Sequence, residues 1–133
     1  MTRAEAIRLR AIVEQAAASL DDQTASISPT LFPRMKYDGE LISASTRINW
    51  NGTIKRAAVD LLDTKENNPD NATTLWEDIS YREGIRIIPA TITAGTAFEK
   101  GECGWWGDML CKSLIGANVY TPKQYPNGWE IVI

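Results

Sequence analysis

The spacing of the aromatic landmarks constrains this chain more than any other feature. Thr46-Arg47-Ile48-Asn49-Trp50-Asn51-Gly52 is followed by Pro69 and then by Trp76-Glu77-Asp78-Ile79. Further on, Gly101-Glu102-Cys103-Gly104-Trp105-Trp106-Gly107 is followed by Pro122 and then by Trp129-Glu130-Ile131-Val132. Trp50 and Trp105 lie 55 residues apart, while the two prolines and the two closing tryptophans each lie 53 apart. Near-constant offsets over three landmarks predict an internal repeat, and a repeat sets the architecture before any single residue is read. With 133 residues in all, each copy buries little core alone.

The chain reads as α+β: an N-terminal helix followed by two small antiparallel β modules related by that repeat. Residues 1–22 form the helix, 23–36 a linker, 37–79 the first module and 80–133 the second. Thr2-Arg3-Ala4-Glu5 matches a capping box. Ala6, Leu9, Val13, Ala16 and Leu20 then recur at alternating spacings of three and four, a heptad-like stripe. So short a helix needs a packing partner. It either docks on its own domain or brings copies of the chain together, so the stripe is the candidate oligomerisation or docking face. Asp21-Asp22 sit where the helix dipole disfavours negative charge and are expected to stop the helix. Ser28-Pro29 and Phe32-Pro33 exclude a long helix in the linker.

Within the first module, Arg47 to Trp50 alternates as a half-buried strand does, Asn51-Gly52 supplies a two-residue hairpin turn, and Thr53 to Leu62 returns. The second module repeats the plan around Trp106-Gly107-Asp108. Ile85 to Pro89, which alternates poorly, is expected only to connect. If 106–108 form the hairpin loop, Cys103 and Cys111 face each other and a disulfide is conceivable. Two reduced, half-buried thiols are the simpler reading. Trp50, Trp76 and Trp129 are expected in the cores. Adjacent tryptophans in a strand point to opposite faces. One of Trp105 and Trp106 is therefore core and the other exposed or covered. Tyr120 and Tyr125 flank Pro122 in a loop, as binding residues or as a proline–aromatic clasp. Trp105, Trp106, Tyr120 and Tyr125 are thus the candidate ligand contacts.

Composition narrows the function classes. The chain has no histidine, which removes Ser-His and Cys-His catalytic pairs and the commonest metal ligand. Two cysteines cannot build a structural zinc site unaided, so neither metal nor cofactor is expected. Glu99, Glu102 and Asp108 cluster in sequence near Trp105 and Trp106. Two tiny modules offer them little cleft, so a non-enzymatic protein is expected. A net charge of −3, with basic residues scattered among acidic ones, argues against nucleic acid. No apolar run is long enough to span a membrane. The charged start Met1-Thr2-Arg3-Ala4-Glu5 predicts no secretory signal and synthesis in a cytoplasm.

The tryptophan–glycine, proline and closing-tryptophan order resembles the small carbohydrate-binding modules appended to bacterial chitinases and cellulases. That resemblance implies a small twisted antiparallel sheet and a polysaccharide ligand. In that family an aromatic residue usually stands on the strand after the turn; here Lys55 or Arg56 and Leu110 or Cys111 take its place. Over nearly the whole chain the sequence also resembles short proteins encoded in tail gene clusters of bacteriophages and prophages. The matching stretches are the helix from Met1 to Arg10, Leu31-Phe32-Pro33, and Ser113 to Pro122 with Tyr125 to Trp129. This resemblance implies a virion-associated tail or fibre protein, made in the bacterial host cytoplasm and homo-oligomeric through its helix. It implies either host-surface polysaccharide or other virion proteins as the partner.

Overall fold

A computed structural model describes residues 2–133, and the chain forms two compact units, Met1–Ile79 and Ser80–Ile133. It is mixed α+β, with helices at the N-terminus followed by small antiparallel sheets.

In the first unit, helix α1 spans Arg3–Ala17, and Thr2 caps it by accepting from the Glu5 amide at 3.1 Å. Leu20 lies beyond its end and packs into a core of Ala17, Ala25, Phe32, Ile54 and Ile79. The expected five-residue stripe is therefore four residues long. Only part of it faces the unit, through Leu20 and half-buried Val13. Ala17 is buried, Val13 and Glu14 are half-buried, and Arg10 donates to the Phe32 carbonyl at 3.1 Å. Ala6, Leu9 and Ala16 remain exposed. Asp21 does not stop a helix but starts one. Its carboxylate accepts from the Thr24 amide at 2.7 Å and caps α2, Asp22–Ile27. That bond holds the Asp21 carboxyl below its ordinary range. The cap therefore acts fully above that range and is lost as pH falls through the depressed value. The stretch read as a linker is thus structured, with α2, a 3₁₀ turn at Pro29–Leu31 and buried Phe32.

Strands β1 (Leu41–Ile42), β2 (Arg47–Trp50), β3 (Thr53–Ala57), β4 (Leu61–Leu62) and β5 (Trp76–Asp78) follow. They form a three-stranded sheet in the order β2-β3-β5 and a short β1-β4 pair. Trp50 opposes Thr53, so Asn51-Gly52 is the two-residue turn, with φ of 53° and 86°. Both signs are those of a type I′ turn. The single strand expected from 53 to 62 divides into β3 and β4, because the chain bends after Ala57. The register gives the sheet two apolar faces. Ile48, Ala57 and Trp76 pack with Leu61 on one, and Ile54 and Ile79 meet the helices on the other.

Arg47 fastens the helices to the sheet. Its Nη2 donates to the Leu20 carbonyl at 2.6 Å and the Ala18 carbonyl at 3.2 Å, just past the end of α1. Its Nη1 meets Asp22 at 3.0 Å, and the guanidinium lies over the Phe32 ring. A helix C-terminus leaves carbonyls unpaired, and a cation is the favoured group there.

The second unit starts with a hairpin that the sequence does not announce, β6 (Tyr81–Arg82) and β7 (Ile85–Arg86). Glu83 and Gly84 turn it with φ of 54° and 80°. Strands β8 (Cys103–Trp106), β9 (Met109–Ser113) and β10 (Trp129–Ile131) form an antiparallel sheet in that order. Trp106 opposes Met109, so the loop is the two residues Gly107-Asp108 rather than three. Two consequences follow. Cys103 faces Lys112 and Cys111 faces Gly104, so the cysteines lie on opposite faces and both are free. The residue in Trp50's hairpin position is Trp106, not Trp105.

Ile88, Ile92, Phe98, Cys111 and Trp129 make the core on one face of this sheet. Gly104 permits it. A Cβ there would stand 2.6 Å from Ile88 Cγ1 and 2.8 Å from the Phe98 ring. Gly104→Ala is expected to cost about 1–3 kcal/mol by overpacking. Urea denaturation followed by tryptophan fluorescence measures it, and an unchanged midpoint would contradict this account.

Candidate functional site

The exposed aromatics of the second unit stand on the loop between β9 and β10. Asn118, fully buried, anchors the start of that loop. Its Nδ2 donates to Ser113 Oγ at 3.0 Å and the Gly128 carbonyl at 3.2 Å, and its Oδ1 accepts from the Tyr120 amide at 3.1 Å. Thr121 and Gln124 then cap each other. The Thr121 amide donates to Gln124 Oε1 at 2.9 Å, and the Gln124 amide donates to Thr121 Oγ1 at 3.2 Å. Trp129 Nε1 closes the loop by donating to the Tyr120 carbonyl at 2.8 Å. Every buried polar group here has a partner, so the loop is held by polar contacts that each resist rearrangement.

Tyr120 and Tyr125 project from this frame with 49% and 40% of their surface exposed. Their rings meet edge to face, centroids 5.8 Å apart at 73°. Tyr125 lies against Gly128, where a Cβ would come within 2.8 Å of its ring. The two tyrosines thus form a ring pair seated on a glycine.

Trp106 and Trp105 part to opposite faces, as strand geometry requires. Trp106 packs half-buried against the core. It lines an open groove of about 240 Å³ with Met109, Pro122, Lys123 and Ile131. Trp105 is covered by its own unit. Its Nε1 donates to the Arg82 carbonyl at 2.9 Å, and the Arg82 guanidinium sits 4.1 Å from its ring centroid. The four aromatic candidates therefore occupy three places, and the tyrosines do not line the Trp106 groove.

The carboxylates near the tryptophans serve the fold. Arg86 pairs with Glu102 at 2.8 Å, and Glu102 also accepts from the Glu99 amide. Arg82 reaches Asp108 at 3.4 Å. Burial pushes the Cys111 thiol above its ordinary range, with Cys103 adding to the shift. Among the described residues, no three of His, Cys, Asp and Glu come together to hold a metal, and no helix is long and apolar enough to cross a membrane.

No family model matches this chain, and no curated protein matches it. The geometry within the chain supplies its own comparison instead. In the first unit, Trp76 Nε1 donates to the Asn67 carbonyl at 2.7 Å, nine residues back, as Trp129 does to Tyr120. The Asn71 amide donates to Asn68 Oδ1 at 2.8 Å, as Gln124 does to Thr121. The Ala72 amide bonds the Asn68 carbonyl, as Tyr125 bonds Thr121. Ala72 has φ −132° and ψ 63°, and Tyr125 has φ −144° and ψ 79°. Asn67 and Ala72 thus stand where the second unit places Tyr120 and Tyr125. Asn118, Thr121 and Gln124 escaped sequence reading. Aligning Asn68-x-x-Asn71 with Thr121-x-x-Gln124 at the 53-residue offset would have revealed the last two.

Trp129→Phe keeps an aromatic ring in the core but removes part of the indole's volume together with its N–H donor to the Tyr120 carbonyl. It is expected to cost about 2–3 kcal/mol and to speed hydrogen exchange in 118–128. Exchange unchanged in that loop would show that the indole bond does not hold it.

Proposed function

We propose that this is a non-enzymatic, virion-associated protein of a bacteriophage or prophage, whose second unit contacts host-surface glycan through Tyr120 and Tyr125. One observation carries the glycan reading. The same loop geometry is built in the first unit with Asn67 and Ala72, so the fold does not need two aromatic rings at these positions. Exposing them on a loop fixed by buried polar bonds is what a pre-ordered contact surface requires. Tyrosine offers an apolar ring face to a sugar and a hydroxyl at its edge. Lys123, Gln124 and Asn127, all exposed, supply donors beside the rings. The resemblance to chitinase-type modules supports the ligand class, and the resemblance to phage tail-cluster proteins supports the setting.

The two β units are, in this reading, diverged copies of one module. The 53-residue offset of the loop bonds and of the closing tryptophans supports it, as do the matching strand orders. Helix α1 serves attachment. Ile7, Leu9 and Ile12 are 60%, 48% and 62% exposed, an apolar surface suited to a second copy of the chain or another virion protein. That surface also favours the rival reading, a structural virion accessory whose contacts are all with other phage proteins.

Sedimentation of the purified protein with insoluble chitin, cellulose and bacterial cell-wall polysaccharide tests the reading. Saturable binding to at least one is expected, about tenfold or more weaker in Tyr120→Ala and Tyr125→Ala and unchanged in Ala72→Ser. Absence of saturable binding, or binding indifferent to both tyrosines, would leave the structural reading in place.

A further inference from the structure

The first unit has an opening of its own, separate from the tyrosine loop. A groove of about 300 Å³ lies beside β2 and the Arg34-Met35 segment, and Asn49 and Trp50 line it. Asn49 is only 6% exposed. Its Oδ1 accepts from the Gly52 amide at 3.0 Å, which fixes the orientation of the side-chain amide. Nδ2 is the donor left over. It has no hydrogen-bond partner among the described residues, yet it is not sealed from solvent. The groove is the opening that Asn49 lines. Nδ2 is thus open to solvent and to a ligand's acceptor, and the hairpin does not demand a donor there. The strand position before Trp106 in the second unit is Trp105, whose indole donor is satisfied.

A second free donor stands at the same opening. The Arg34 guanidinium makes no ion pair or hydrogen bond among the described residues. No acidic side chain lines the groove. The nearby Asp70 is occupied, accepting from Trp50 Nε1 at 3.2 Å and so fixing the half-buried indole. A guanidinium and a fixed amide donor, with no acidic side chain among the lining residues, suit an anionic acceptor, and Arg favours the planar carboxylate.

We infer that this groove binds a carboxylate-bearing sugar, its acid group held by Arg34 and Asn49 Nδ2. The sugar half of this inference rests on the glycan-binding reading; the carboxylate half rests on the donors alone. It assigns to the first unit a site that the missing strand aromatic at Lys55 and Arg56 had argued against. Under it, the protein reads acidic polysaccharide with one unit while the tyrosine loop meets glycan with the other.

The test is a titration of the whole ¹⁵N-labelled chain with short oligogalacturonate. The fully methyl-esterified oligomer is the neutral arm and sodium acetate the bare-carboxylate arm. The Asn49 side-chain NH₂ and Arg34 Nε–H signals are expected to move saturably with oligogalacturonate alone. Affinity is expected to fall about tenfold or more in Arg34→Ala and in Asn49→Asp. Asn49→Asp keeps the oxygen that the turn uses and removes the donor, and the rest of its spectrum reports whether the fold is kept. Arg34→Ala changes a side chain with no intramolecular partner and guards against a folding defect. No saturable shift, an equal response to the ester, or affinity unchanged in both variants would overturn the proposal. Acetate binding as tightly as the oligomer would overturn its sugar half. Tyr120→Ala and Tyr125→Ala are expected to leave these signals untouched, so failure of the tyrosine site and failure of this one are read separately.

Discussion

An indole N–H that reaches a carbonyl nine residues upstream holds each unit together. In so small a sheet, three strands cannot bury enough apolar surface to fix a loop of a dozen residues. Trp76 and Trp129 solve this with one side chain each. The ring lies in the core at 7% exposure, and the nitrogen at its edge ties down the far side of the loop. The ring contributes burial of roughly 2–3 kcal/mol, and the bond contributes roughly 1 kcal/mol more. The bond matters beyond that figure because it sets where the loop stands. Pro69 and Pro122 follow within two residues of the accepting carbonyls and limit the chain further.

Arginine has a similar double role in both units. Arg47 lies over Phe32, and Arg86 lies 3.8 Å from the centroid of Phe98. Each also donates to backbone carbonyls, Leu20 and Ala18 in one case and Thr96 and Ala97 in the other. Each then meets a carboxylate, Asp22 or Glu102. A planar cation can satisfy all three at once, where lysine's single ammonium could not. These knots join segments distant in sequence that have too little apolar surface to hold one another. Exposed ion pairs such as Lys112–Glu130 add little by comparison.

How much was legible depended on whether the signal was local. Asn51-Gly52 names its turn, because φ > 0 at both positions is a property of those two residues. Trp76 and Trp129 were legible as core by size and spacing. Three features were not. Asp21 carried a cap signature, but its position after an apolar stripe made it read as a stop. Gly107-Asp108 turns as tightly as Asn51-Gly52, yet the doubled tryptophan before it concealed the register and placed Cys103 opposite Cys111. The partners of Arg47, Arg86 and Asn118 lie up to thirty residues away in sequence, and no periodicity encodes them. For the candidate site, the two tyrosines were legible as loop aromatics. The polar frame beneath them was not, because Asn118 and Thr121 look like ordinary loop residues until their burial is known.

The two units show what a small frame leaves free to vary. Strand order, two-residue hairpin turn, closing tryptophan and loop bonds fix the backbone in each, and these positions tolerate little change. The positions between them differ in kind. Where the second unit sets an indole covered by Arg82, the first sets Asn49 with a donor to spare. Where the second sets two exposed tyrosines, the first sets Asn67 and Ala72. Such differences cost the fold little because none of these side chains closes a core. The side chains at these positions can therefore change without altering what holds each unit together. Each contact alone would be weak, since a shallow groove of about 300 Å³ and a pair of exposed rings bury little of a ligand.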